Sequence, residues 1–174
     1  MVFTHYWAYT PDSDEFTAHF PQMVCDARLI LGHLAARGLP LAGPTGIGEP
    51  LLSDSIIAFN GVRPDTGENF VLAPKAGSGL TEHTPTGEPF TFDYCQTRAL
   101  SYDLAVTAIL LRANQLVPWT LALASDGSWN HEWRPARDLL GDLFGATPQI
   151  NALMSPDYLR GGPHRLQYRA SAYA

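Results

Sequence analysis

The chain has 174 residues, 45% of them hydrophobic and only 16% charged, with a net charge of −6. That describes one domain able to bury a real core, against a usual charged share of about 25%, and it excludes a disordered chain. An acidic body repels phosphate backbones, so nucleic acid is not an expected partner. The charge is uneven: Ser155 to Ala174 holds Asp157 against Arg160, Arg165 and Arg169, a net of +2 that leaves −8 on the rest.

Val2 to Tyr9 is aromatic and β-branched and predicts a strand. Asp12 and Glu15 have capping-box spacing and open a helix. Phe16, Phe20, Met23, Val24, Ala27, Leu31 and Leu34 continue it at helical spacing, with Pro21 expected to kink it or to start its main segment. Gly38 and Pro40 close it. Leu39 to Pro50 reads as a loop. Its glycines at 43, 46 and 48 are followed by Pro50 rather than by a lysine and a helix, so neither a P-loop nor a dinucleotide fingerprint is present.

Ser55 to Val62 and Asn69 to Ala73 predict a hairpin, and Pro74 to Pro89 a long surface loop. Phe90 to Cys95 is the next strand. Leu104 to Ala113 is an almost wholly apolar, buried helix, too short at its longest apolar run for the roughly 20 residues of a membrane span. Trp119 to Ala124 has the continuous apolar pattern of a central strand. Ser125-Asp126-Gly127-Ser128 turns the chain, and Pro135 to Phe144 is a short helix ended by Gly145.

The order is β-α-β-β-β-α-β-α. It predicts an α+β (or α/β) single layered domain over residues 1–145, with a mixed sheet of about five strands, two longer helices and one short one. Residues 146–174 are a C-terminal extension expected to pack on the body or on a partner, which includes self-association. The start of the chain lacks the pattern of a signal peptide, so the cytoplasm is the expected location.

The stretch Phe92 to Asp103 gathers a thiol, an arginine, a hydroxyl and a carboxylate at one helix start. Cys95 is a candidate nucleophile if Arg98 and the helix dipole stabilise its thiolate, or a small buried hydrophobe if no histidine reaches it. Arg98, Ser101 and Asp103 fit an anion site, or equally a cap in which Ser101 is the N-cap and Arg98 pairs with Asp103 or Asp93. Asp126, after a central strand, fits a ligand-holding carboxylate or a plain Ser-Asp-Gly turn. Cys25 and Cys95 are expected to be reduced thiols. No histidine or cysteine pair has metal-site spacing, and neither a metal nor a cofactor is expected.

Several segments carry a resemblance: Thr4-His5-Tyr6-Trp7, Gly46-Ile47-Gly48-Glu49-Pro50, Ile57-Ala58-Phe59-Asn60-Gly61, Phe92 to Arg98, Tyr102 to Ala108 and Ser125 to Trp129. Their order over residues 4–145 resembles a family of small proteins of bacterial and bacteriophage genomes with no established activity. That pattern has lysine where this chain has Gln96. The resemblance implies that Glu49, Asn60, Cys95, Asp103 and Asp126 gather at one end of the fold. The reading that follows is a non-catalytic binding or accessory domain holding a small polar or anionic ligand, or a protein partner, through the loops of Glu49, Arg98 and Asp126. The alternatives are a small hydrolase or transferase using Cys95 or a carboxylate pair, and a structural subunit of a phage or other assembly.

Overall fold

The computed structural model describes residues 3–75 and 79–160. They form a mixed α+β fold. The elements are β1 (Thr4–Tyr9), α1 (Asp14–Ala36), β2 (Leu41–Ala42), β3 (Leu51–Ser53), β4 (Ile56–Gly61), β5 (Phe70–Leu72), β6 (Leu80–His83), β7 (Pro89–Gln96), α2 (Asp103–Leu116), β8 (Leu121–Ser125), α3 (Arg134–Phe144), β9 (Leu153–Met154) and α4 (Pro156–Leu159).

A five-stranded sheet runs β6-β7-β1-β8-β9, antiparallel except for the β8–β9 pair. A smaller antiparallel sheet is built around β4, which pairs with β2, β3 and β5. The β4–β5 pair is the expected hairpin.

Side chains alternate across the large sheet, as a pleat requires. Trp7, Tyr9, Cys95, Leu121 and Leu123 face the helices and belong to the main core with Phe16, Phe20, Leu110 and Trp133. Ala8, Phe90, Phe92, Ala122 and Ala124 face the other way and pack with Leu159 of α4. β9 adds an edge strand beside β8, and Leu159 of α4 is fully buried. Residues 161–174 lie outside the described residues.

Helix α1 starts one residue later than its acidic pattern suggested. The N-cap is Ser13, whose Oγ accepts the Phe16 amide at 3.2 Å, and Asp12 stands before it in the left-handed region. Ser13 wins because its short hydroxyl reaches the third amide of the helix from an extended backbone. Pro21 lies inside a continuous helix. Among the described residues no helix is long and apolar enough to cross a membrane.

Three helices meet at one ion pair. Asp26 of α1, 3% exposed at its side chain, accepts Arg112 Nε of α2 at 2.7 Å. Gln22 Nε2 donates to its other oxygen at 2.7 Å. The Arg112 guanidinium also lies 4.2 Å over the Phe144 ring of α3.

Asn60, expected in the site, joins two loops. Its Nδ2 donates to the carbonyls of Pro44 and Gly67, each at 3.1 Å, and its Oδ1 accepts the amides of Gly61 and Gly67. Gly67 in turn lies against Tyr102: a Cβ there would stand 2.3 Å from Tyr102 Oη and 2.8 Å from the Gln96 carbonyl. The Gly67→Ala substitution is therefore expected to cost about 1–3 kcal/mol through overpacking, read as a lower urea midpoint with an unchanged slope.

Candidate functional site

The antiparallel register decides which side chains meet at the sheet end where β1 begins. His5 pairs with Cys95 on one side and with Ser125 on the other. Helix α2 starts against the same end, because Thr97 and Arg98 both donate their amides to the Phe3 carbonyl before the chain turns into it.

His5 is 1% exposed, and both ring nitrogens are engaged. Nε2 lies 2.9 Å from Asp103 Oδ1, and Nδ1 lies 2.9 Å from Ser125 Oγ. A carboxylate only accepts, so Nε2 carries the proton of that contact, and Nδ1 and the Ser125 hydroxyl share the second hydrogen bond. The Thr97 hydroxyl donates to the same Asp103 oxygen. Trp133, fully buried, meets the imidazole edge-on with ring centroids 5.5 Å apart. Carboxylate, imidazole and hydroxyl thus stand in series, from α2, β1 and β8.

The turn after β8 is tied by hydrogen bonds to β1 and to Glu132. The Asp126 amide donates to the Thr4 carbonyl at 3.1 Å, and Asp126 Oδ2 accepts the Thr4 amide at 3.2 Å. The Gly127 amide donates to Ser125 Oγ at 2.9 Å. The Ser128 amide and hydroxyl both donate to Glu132, holding that carboxyl below its usual range. The three amides following the hydroxyl are therefore all committed.

Cys95 does have a histidine opposite it, as a thiol nucleophile would need. The histidine is spoken for by Asp103 and Ser125. The Cys95 thiol is fully buried and donates to the Glu68 carbonyl at 3.3 Å, with Tyr102 Oη at 4.0 Å. Burial pushes it up to about 12. Burial also raises Tyr102, whose hydroxyl donates to the Glu68 carbonyl at 2.8 Å. A thiol in that state is a weak nucleophile at neutral pH.

Two outcomes are expected. Iodoacetamide modifies the exposed Cys25 of the native protein and reaches Cys95 only after unfolding, read by peptide mass spectrometry. Stability also falls on the alkaline side. An unfolded thiol ionises near pH 9 and the folded one near 12, so between those values the unfolded chain has released a proton that the folded chain keeps. Tyr9, raised from 10 to about 12 mainly by burial, adds to the same loss. Urea midpoints should drop from pH 9 upward, and less steeply in Cys95→Ala.

The remaining candidates divide. Asp103 and Asp126 come together with His5 and Ser125 at this sheet end. Arg98 lies on the turn just before α2, exposed, with Nε donating to Gln96 Oε1 at 3.4 Å. Arg98 and Ala99 both have φ of 55°, in the left-handed region that costs a side chain about 1–2 kcal/mol. Ser101 is exposed, and the N-cap position falls to Tyr102, with no side chain capping the helix. Glu49 borders a separate cleft of about 450 Å3 against Arg28, Leu31 and Ala35 of α1. Asn60 belongs to the loop junction.

His5 and Ser125 are the residues that sequence reasoning did not single out. The available signals were a histidine inside an otherwise apolar first strand and a hydroxyl at the end of a central one. Among the described residues, no group of three His, Cys, Asp or Glu side chains could hold a metal ion. Comparison with protein-family models, with curated proteins and with solved structures gave no match.

Proposed function

We propose that the chain is a non-catalytic binding domain that holds a small polar or anionic ligand at the sheet end built from His5, Arg98, Asp103, Ser125 and Asp126. The observation that supports this most is the commitment of the local amides. The amides of Asp126, Gly127 and Ser128 are taken by the Thr4 carbonyl, Ser125 Oγ and the Glu132 carboxylate, so a tetrahedral oxyanion beside Ser125 would meet no uncommitted backbone donor from these three residues. The internal bonds hold the surface rigid, and the exposed Arg98 guanidinium supplies the anion contact. The motif resemblance supports, as part of this proposal, a bacterial or bacteriophage setting, and the proposed location is the cytoplasm.

Amide NMR titration with inorganic phosphate and with malonate tests the reading. Shifts concentrated on residues 97–103 and 125–127, and lost in Arg98→Ala, are expected. Shifts spread evenly over the surface, or unchanged in Arg98→Ala, would overturn it.

A second reading, a Ser125-dependent hydrolase, is favoured by the series Asp103, His5, Ser125. In it the Ser125 hydroxyl proton passes to His5 Nδ1 as Oγ attacks an ester carbonyl, and then to the departing alcohol; water, giving a proton to His5, next attacks the acyl-serine, and that proton returns to Oγ as the acid leaves. Its mark would be turnover of p-nitrophenyl acetate that disappears in Ser125→Ala.

A further inference from the structure

We propose that the outer face of the large sheet, where Leu80 and Tyr94 stand exposed, is the docking surface for residues 161–174 of the same chain. This proposal does not depend on the Arg98 site. Strand register defines the face, because residues directly opposite one another point the same way. One row across the strands is Leu80, Phe92, Ala8 and Ala122. The next is Tyr94, Tyr6, Ala124 and Met154. An antiparallel sheet that turns one face to water carries polar residues there, and neither row holds a charge.

Helix α4 covers part of this face. Leu159 is fully buried in one cluster with Ala8, Phe90, Phe92 and Ala122, and α4 lies over β8 and β1. Over β7 and β6 the cover stops: Tyr94 is 45% exposed and Leu80 60%. Tyr6 backs the Tyr94 ring, with centroids 6.4 Å apart. From β9 at the sheet edge, the chain passes in α4 over β8 and β1. The next strands on that course are β7 and β6.

Length and charge both favour the segment that follows α4. Neighbouring strands are about 4.8 Å apart, so β6 lies about 10 Å from β1, a span of about three extended residues. Residues 161–174 exceed that reach several times over, and they bring Leu166, Tyr168 and Tyr173 as apolar side chains. They also hold Arg165 and Arg169 and no acid, a charge of +2 that leaves −8 on the rest of a chain whose net charge is −6. Glu82 is exposed and shares the outer face through its pairing with Phe90, which offers those arginines a carboxylate. A second copy fits less well, because its own net charge of −6 would meet a body of the same sign.

The test is paramagnetic relaxation in the full chain. A nitroxide is attached at Ser171→Cys in a Cys25→Ser background, which leaves the buried Cys95 as the native thiol. Loss of the amide signals of residues 80–82 and 92–94 is expected, with those of α1 retained. Leu80→Lys combined with Tyr94→Lys, both at exposed positions, should restore the lost signals. Leu166→Ser combined with Tyr168→Ser, which leaves residues 3–160 unchanged, should restore them as well. Losses on α1, losses nowhere, or losses that persist in both double variants would overturn the proposal. So would losses that appear in unlabelled 15N chains when nitroxide-bearing 14N chains are mixed in, because a second copy would then supply the occupant.

Discussion

Replacing Arg112 with alanine is expected to destabilise the fold by about 3 kcal/mol, the low end for breaking a buried ion pair. The low end applies because the Arg112 side chain is 22% exposed, while Asp26 is 3% exposed and left with an uncompensated charge. The contact over Phe144 goes with it, so α1 and α3 lose a shared partner on α2. For a chain of this size the melting temperature should fall by about 10 °C, at 2–4 °C for each kcal/mol. Replacing both charges with leucine and methionine should recover much of that loss, because neither residue is then buried as a lone ion. Calorimetry of the single and double variants measures both outcomes. A single variant as stable as the parent would show that the three helices do not depend on this contact.

Asp103→Ala should be the most damaging substitution at the sheet end. It leaves His5 Nε2 without its acceptor and the Thr97 hydroxyl with only the Phe3 carbonyl, at 3.5 Å, and both residues are buried, at 1% and 0% exposure. Each buried polar group stripped of its partner costs about 1–3 kcal/mol. Asp103→Asn keeps a carbonyl acceptor and should cost less. Ser125→Ala removes the bonds to His5 Nδ1 and the Gly127 amide at a half-buried position, and should also cost less than Asp103→Ala. Urea unfolding orders the three. If Ser125→Ala proved the most destabilising, the carboxylate would not be the anchor of the series.

The elements legible in the sequence were those with enough residues to show a period. The apolar spacing from Phe16 to Leu34 marked α1, the continuous run near Leu121 to Ala124 marked β8, and Pro135 with Gly145 bounded α3. The strands Leu41–Ala42, Leu51–Ser53, Leu80–His83 and Leu153–Met154 were not read. Two to four residues cannot display alternation, and β6 has no buried face to alternate with.

The site divides along the same line. Asp103 and Asp126 were visible because a carboxylate at a helix start or strand end is a local signal. The partnership of His5 with Ser125 and Asp103 spans 120 and 98 residues and exists only through strand register. No local pattern encodes that register. Cys95 carried a local signal for reactivity, and its burial against Tyr102 and the Glu68 carbonyl, a tertiary property, is what quenches it.

The account rests on the series Asp103, His5, Ser125 serving to hold a binding surface rather than to activate a nucleophile. Intact-mass spectrometry of the native chain after incubation with a fluorophosphonate probe addresses this most directly, with Ser125→Ala and His5→Ala alongside. The expected result is an unmodified mass for all three. A stoichiometric adduct mapped to Ser125 in the parent chain and missing from the His5 variant would contradict the account and establish the serine as an activated nucleophile.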